Sequence, residues 1–242
     1  MPFLYHLDEL RRRIIIIALT IGLGSAALYP FAEQIRDVLL KPVLPHIPDG
    51  KVSIFGPFEA FTFNFKVALY ATLVLASPII IWQVLAFFLP ALKPKEQRYF
   101  IPTFIAAIFF FAAGNLFCYS IILDPGFGWL IDQGEGMNLV ASGPAFVNGV
   151  TLFMLGFGIA FELPIVIFYL LAFGIVPYKT MRKNWRIAYV ILMVVASIAT
   201  PDWSPVTMGM LFGALVVLYE GSLALARVVL SKRIAAQKAM GY

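Results

Sequence analysis

In this chain of 242 residues, 61% are hydrophobic and 13% charged, with a mean hydropathy of +0.89. That composition excludes a soluble domain and leaves room for about six membrane spans of ~20 residues with short loops. The net charge of +5 does not imply nucleic acid, because all of the 18 basic residues except Arg36, Lys41, Lys51 and Lys66 fall on one side of the spans below; that asymmetry sets both termini in the cytoplasm.

The chain opens with His6-Leu7-Asp8-Glu9-Leu10-Arg11-Arg12-Arg13, followed at once by Ile14-Ile15-Ile16-Ile17. Three arginines resist entry into hydrocarbon, so they hold this end at the inner surface while the isoleucines begin a span. Asp8 and Glu9 would sit in the basic region of a signal peptide cleaved near Ser25-Ala26-Ala27. The segment is therefore read as a retained first span. An acidic pair does not anchor a chain to anionic lipid. Either it receives a cationic guest, or Glu9 pairs with Arg12 or Arg13 one helical turn on.

Span one runs from Ile14 to Tyr29, and Pro30 ends it. Outside, Phe31, Ile35, Val38 and Leu39 recur at helical spacing between Glu33, Arg36 and Asp37, which predicts an amphipathic interfacial helix. Pro42, Pro45, Pro48 and Pro57 then predict an extended connection. Span two covers Phe65 to Leu89 with a kink at Pro78, and an inside loop, 90–98, leads to span three, Tyr99 to Leu123. The second outside segment, 124–144, carries Asp124, Asp132 and Glu135 and reads as loop with one short helix. Span four, Pro144 to Phe173, is long enough to tilt. After the basic loop 177–186, span five has only Ile187 to Thr200, a reach of ~21 Å against a ~30 Å hydrocarbon core. Span six is Val206 to Ala226. No stretch repeats at a fixed period, and the whole chain, 1–242, reads as one domain.

Glu162 is the least expected residue in this pattern. A charged carboxylate at mid-membrane costs at least ~2.5–3.5 kcal/mol, so it should face protein or water or carry a proton. Alternatively, Pro164 frees the carbonyl of Ala160, and a protonated Glu162 satisfies it. Glu220, two turns before Arg227, suits an ion pair or a hydrogen bond to a neighbouring helix. Asp202 caps the start of span six or the tight turn before it. Phe87 and Phe88 read as interfacial aromatics, and Gly209-x-x-x-Gly213 hints at a helix contact. Cys118 is the only cysteine, which excludes an internal disulfide and a thiolate metal site; His6 and His46, on opposite sides, cannot share a metal. No phosphate loop, metal-binding histidine pair or nucleophile–base set is present, so neither an enzyme nor a cofactor is expected.

Four motifs then stand in order along nearly the whole chain: His6-Leu7-x-Glu9-Leu10-Arg11-x-Arg13; Ala86-Phe87-Phe88-Leu89-Pro90-Ala91-Leu92 with Glu96-x-Arg98; Phe157-Gly158-Ile159-Ala160-Phe161-Glu162-Leu163-Pro164; and Thr200-Pro201-Asp202. Together they resemble the TatC family, the multispanning core of the twin-arginine protein export system. The resemblance implies an all-α polytopic protein of the inner membrane, with six transmembrane helices in a concave, glove-like arrangement and short fifth and sixth spans. By the same resemblance, Glu9 and Glu96 would bind the paired arginines of a folded cargo's signal peptide, with Phe87 and Arg98 shaping the site. Glu162, and Asp202 at the last outer turn, would be polar groups for contact with TatA- and TatB-type single-span partners, in a homo- and hetero-oligomer driven by the proton motive force. Pro205 stands where the family more often has Gln.

Such recognition is physically sound. A guanidinium offers a carboxylate two parallel hydrogen bonds, which an ammonium cannot. At about 4 Å one pair gains ~1 kcal/mol in water and ~4 kcal/mol at an effective dielectric of 20, less the desolvation cost. Binding should be reversible and salt-sensitive. The alternative reading is a proton-coupled secondary transporter with Glu162 and Glu220 as relay carboxylates. It calls for a midplane substrate site and usually an inverted repeat, and the sequence displays neither.

Overall fold

The computed structural model describes residues 3–47, 52–88, 97, 100–134, 142–172, 174–200 and 204–229. Among these the chain is helical apart from turns and short connections, and its only β pairing is an isolated parallel bridge between Ser53 and Ser142. Five helical stretches, 7–40, 57–75, 100–132, 143–172 and 205–229, are long and apolar enough to cross a membrane.

Helix α1, Phe3–Leu28, begins well before Ile14, so the charged opening motif is itself helical. Pro30 does not end the helical stretch. It sits in a 3-10 turn, Tyr29–Phe31, where its missing N–H costs nothing, and the chain continues directly into α2, Ala32–Leu40. That helix is amphipathic as expected, with Ala32 and Leu40 buried and Arg36 2.9 Å from Asp37. The proline-rich connection is compact rather than extended up to Ile47. Pro45 lies in a second 3-10 turn, Leu44–His46, and Val43 and Ile47 are buried on either side of it.

Helix α3, Pro57–Leu75, also starts earlier than the hydropathy suggests, because Pro57 occupies its first turn and the Glu59 carboxylate accepts the Phe55 N–H at 2.6 Å. The expected kink lies at Ala76, two residues before Pro78, and leads into α4, Ser77–Phe88. Helix α5, Phe100–Phe117, passes through a π turn, Cys118–Ile122, where the Leu123 N–H reaches the Cys118 carbonyl. It continues as α6, Leu123–Asp132. The short helix of the second outside segment is thus an extension of span three. Cys118 is completely buried in the π turn. Span four is two helices, α7, Gly143–Ala160, and α8, Leu163–Ala172, parted by turn residues at Phe161 and Glu162.

Helix α9, Tyr178–Lys183, lies within the basic loop. Helix α10, Trp185–Ala199, has 15 residues and spans ~22 Å, short as expected. The sixth span is not short: α11, Pro205–Val229, has 25 residues and spans ~37 Å. Its start is fixed by Pro205 at the first helical position and by Ser204, whose hydroxyl accepts the Thr207 N–H at 3.2 Å. The cap of α11 is therefore Ser204; Asp202 lies outside the described residues.

The chain forms two compact units, residues 1–109 with 131–151, and 110–130 with 152–242. In the first, α1 packs along α3 and α4, and α2 packs on α3. A Cβ at Gly24 would lie 2.4 Å from Thr72 Cγ2, so glycine sets the closeness of α1 and α3. Tyr70 donates to Asn148 at 2.6 Å, tying α3 to α7. In the second unit, α11 packs on α8 and α10. A Cβ at Gly156 would meet the Ala199 carbonyl at 2.5 Å, which brings the end of short α10 against α7.

Candidate functional site

At the arginine end of α1, helical spacing puts Glu9 and Arg13 on one face, and they pair. Arg13 donates from Nη2 at 2.7 Å and from Nε at 3.2 Å, both to Glu9 Oε1. Its third nitrogen, Nη1, donates to Gln83 Oε1 of α4 at 3.0 Å. The simple i,i+4 pairing expected from the sequence is present, but it uses only one carboxylate oxygen. Glu9 Oε2 is buried and has no partner among the described residues. Leaving a buried acceptor unpaired costs about 1–3 kcal/mol, more when it carries charge, so the arrangement invites a donor.

That oxygen belongs to a residue lining a cavity of about 470 Å³, whose walls also include Asp8, Arg12, Arg13, Trp82 and Gln83. The α4 wall is held in place by Trp82, which packs edge-on against Phe100 and Phe104 of α5, with ring centroids 5.0 Å away in each case. Two carboxylates and two guanidiniums balance formally across the cavity. Because Arg13 is spent on Oε1 and Gln83, the balance does not extend to Oε2. Phe87 follows Gln83 by one turn on α4 and is half-buried. Glu96 and Arg98 lie outside the described residues.

Glu162 occupies the break between α7 and α8. Its N–H donates to the Ile159 carbonyl at 3.1 Å, and its own carbonyl accepts Ile165 N–H at 3.0 Å. Glu162 Oε1 is buried without a partner among the described residues, so the kink at Pro164 does not saturate the carboxyl. One turn earlier, Gly158 leaves room for Asn115 of α5; a Cβ there would lie 2.5 Å from Asn115 Nδ2. That nitrogen donates to the Phe111 carbonyl at 2.8 Å, while Asn115 Oδ1 is buried and unpaired among the described residues.

Glu220 is engaged, as its position near a helix end suggests, although Arg182 of α9 rather than Arg227 is the partner. Tyr189 also donates to Glu220, at 3.1 Å. The hydrogen bond and charge of Glu220 raise the pKa of Arg182 above its ordinary value. Beside this pair, Tyr219 donates to the Met181 carbonyl at 3.0 Å, so α9 is clamped to α11. No group of three or more His, Cys, Asp or Glu residues suited to a metal occurs among the described residues.

Gln83, Trp82 and Asn115 do not stand out in the sequence. The available signal for two of them is a lone amide in an apolar run, which spacing alone does not connect to a partner.

Comparison with known proteins agrees with the motif order. The family model for the Sec-independent protein translocase protein (TatC) matches residues 5–213. A Sec-independent protein translocase protein TatC from Deinococcus radiodurans is 33% identical over 94% of this chain and 86% of its own length. The TatC protein from Aquifex aeolicus is 32% identical over 99% of this chain and 100% of its own. A crystal structure described as the twin arginine translocase receptor TatC superposes with a TM-score of 0.74 at 31% identity, covering 92% of this chain and 98% of that one. The chain therefore belongs to the TatC family of multispanning membrane proteins, a component of the twin-arginine protein translocase.

Proposed function

We propose that this chain is the receptor of its translocase, binding the twin-arginine signal peptides of folded cargo at the cytoplasmic face of the inner membrane. It then recruits TatA/TatB-type single-span partners for transport driven by the proton motive force. The observation that carries the reading is Glu9 Oε2, a buried carboxylate oxygen without a partner among the described residues, on a side chain that lines an open cavity. A guanidinium satisfies such an oxygen with a charge-assisted hydrogen bond. Glu96 supplies the second carboxylate for the second arginine, with Phe87 and Arg98 bordering the site. The basic residues gathered on one side support the cytoplasmic placement of this surface and of both termini. The single family match across residues 5–213 supports one functional domain.

Glu162 and Asp202 are proposed as polar contacts for the single-span partners. The transporter alternative would need Glu220 as a relay, but that carboxylate is held by Arg182 and Tyr189. The test is crosslinking of a twin-arginine peptide to the full chain in membranes. Glu9→Ala and Glu96→Ala each abolish it at unchanged abundance, and a twin-lysine peptide crosslinks far less to the unsubstituted chain. Wild-type crosslinking by both variants would move the site elsewhere.

A further inference from the structure

We propose that Gln83 is a positioning residue for the peptide site: it holds Arg13 so that this internal arginine cannot close over both oxygens of Glu9, and it thereby reserves Oε2 for a guest guanidinium. The inference rests on the reading that Glu9 receives signal-peptide arginines.

A guanidinium beside a carboxylate favours two parallel hydrogen bonds, one to each oxygen. Arg13 does otherwise. Its Nη2 and Nε bonds, at 2.7 and 3.2 Å, converge on Oε1 alone. The remaining nitrogen, Nη1, is drawn 3.0 Å from Gln83 Oε1 on the neighbouring helix. With Nη1 held there, the rigid plane of the guanidinium keeps its Nε–Nη2 edge centred on Oε1, and shifting that edge toward Oε2 would draw Nη1 away from Gln83. The result is a buried acceptor left open beside its own competitor.

The chemistry of residue 83 suits this task. A neutral amide oxygen anchors one N–H without neutralising Arg13 or adding charge to the cavity. Its backbone is steadied by its neighbour Trp82, packed between Phe100 and Phe104. An apolar side chain of similar length would remove the anchor, and Arg13 would then satisfy both Glu9 oxygens itself. A guest arginine would have to displace an intramolecular one that is already in place.

The experiment measures the dissociation constant of a twin-arginine signal peptide for the full chain reconstituted in lipid vesicles. Gln83→Leu weakens binding about tenfold, in line with loss of one charge-assisted hydrogen bond. Gln83→Met serves the same purpose should the leucine variant fail to accumulate. Gln83→Glu keeps an acceptor at the same reach, so Arg13 stays anchored, and although it adds a negative charge beside the site it does not weaken binding of a cationic peptide. Adding Arg13→Lys to Gln83→Leu recovers most of the loss, since an ammonium lacks the planar fork. A role in helix packing alone would not produce that recovery.

If Gln83→Leu binds normally while Glu9→Ala does not, the positioning role is overturned and the receptor reading stands. If the leucine, glutamate and double variants all weaken binding alike, Gln83 only packs α1 against α4, and the proposal also fails. If Glu9→Ala binds as the wild type does, the receptor reading itself fails, and the role of Gln83 goes with it.

Discussion

Single atoms decide how near the helices of this protein can come. A Cβ on Gly114 would sit 2.7 Å from the Phe157 carbonyl and 2.9 Å from Phe161 Cβ, whereas one on Gly213 meets nothing within 4 Å. Gly114→Ala should therefore destabilise the fold by ~1–3 kcal/mol through overpacking against backbone. Gly213→Ala should be neutral or gain up to ~1 kcal/mol of helix propensity. Thermal unfolding in detergent separates them, and equal midpoints would refute the packing argument. At Glu162, the unpaired buried oxygen leads to a second prediction. Glu162→Gln retains a hydrogen-bond donor and should keep most partner crosslinks and export; Glu162→Ala should lose both while peptide binding survives. Should the glutamine variant be as inactive as alanine, a titrating proton is required and the transporter-like reading gains. Full activity of both would leave Glu162 a kink residue. The pairing of Glu9 with Arg13 was legible from spacing, because i,i+4 neighbours meet on any helix. The role of Gln83 was not, since its partner is 70 positions away and hydropathy gives an amide no address.

Helix boundaries were less legible than helix existence, and the reasons are local. Pro30 reads as a breaker and Pro57 as part of an extended connection, yet each falls in a first turn, where a missing N–H leaves little unpaired. Glycines in the second outside segment read as loop, although Gly126 and Gly128 are buried within α6. Counting residues from Ile187 to Thr200 did recover the shortness of the helix observed as Trp185–Ala199. The short sixth span implied by the resemblance did not hold: α11 begins at Pro205 and continues past Ala226 through Arg227, since a long basic side chain can reach the interface from a helix that goes on. The short helix carries its own prediction. Four apolar residues inserted near Val194 add ~6 Å and should bring α10 close to the full ~30 Å hydrocarbon thickness. Export should fall while signal-peptide binding persists. Normal export by the insertion variant would leave the shortness without consequence for transport.

On the scale of the whole chain, the family and the helical, multispanning fold were legible because both are written redundantly. Four separate motifs and a series of long apolar runs agree with each other. What composition could not supply was the site's interior, which depends on helix pairs far apart in sequence. One modest feature of the fold offers a direct way to check the orientation assigned to it. Cys118 is the sole thiol and is completely shielded inside the π turn, so a water-soluble maleimide has nothing to react with on the unsubstituted protein. Any cysteine placed at the surface then becomes a reporter of its own side without prior removal of a native one. In right-side-out vesicles, Glu33→Cys should label from the medium and Lys183→Cys only after the membrane is opened. The opposite pattern would invert the molecule in the bilayer, and labelling of the unsubstituted chain would mean that the π turn opens to water.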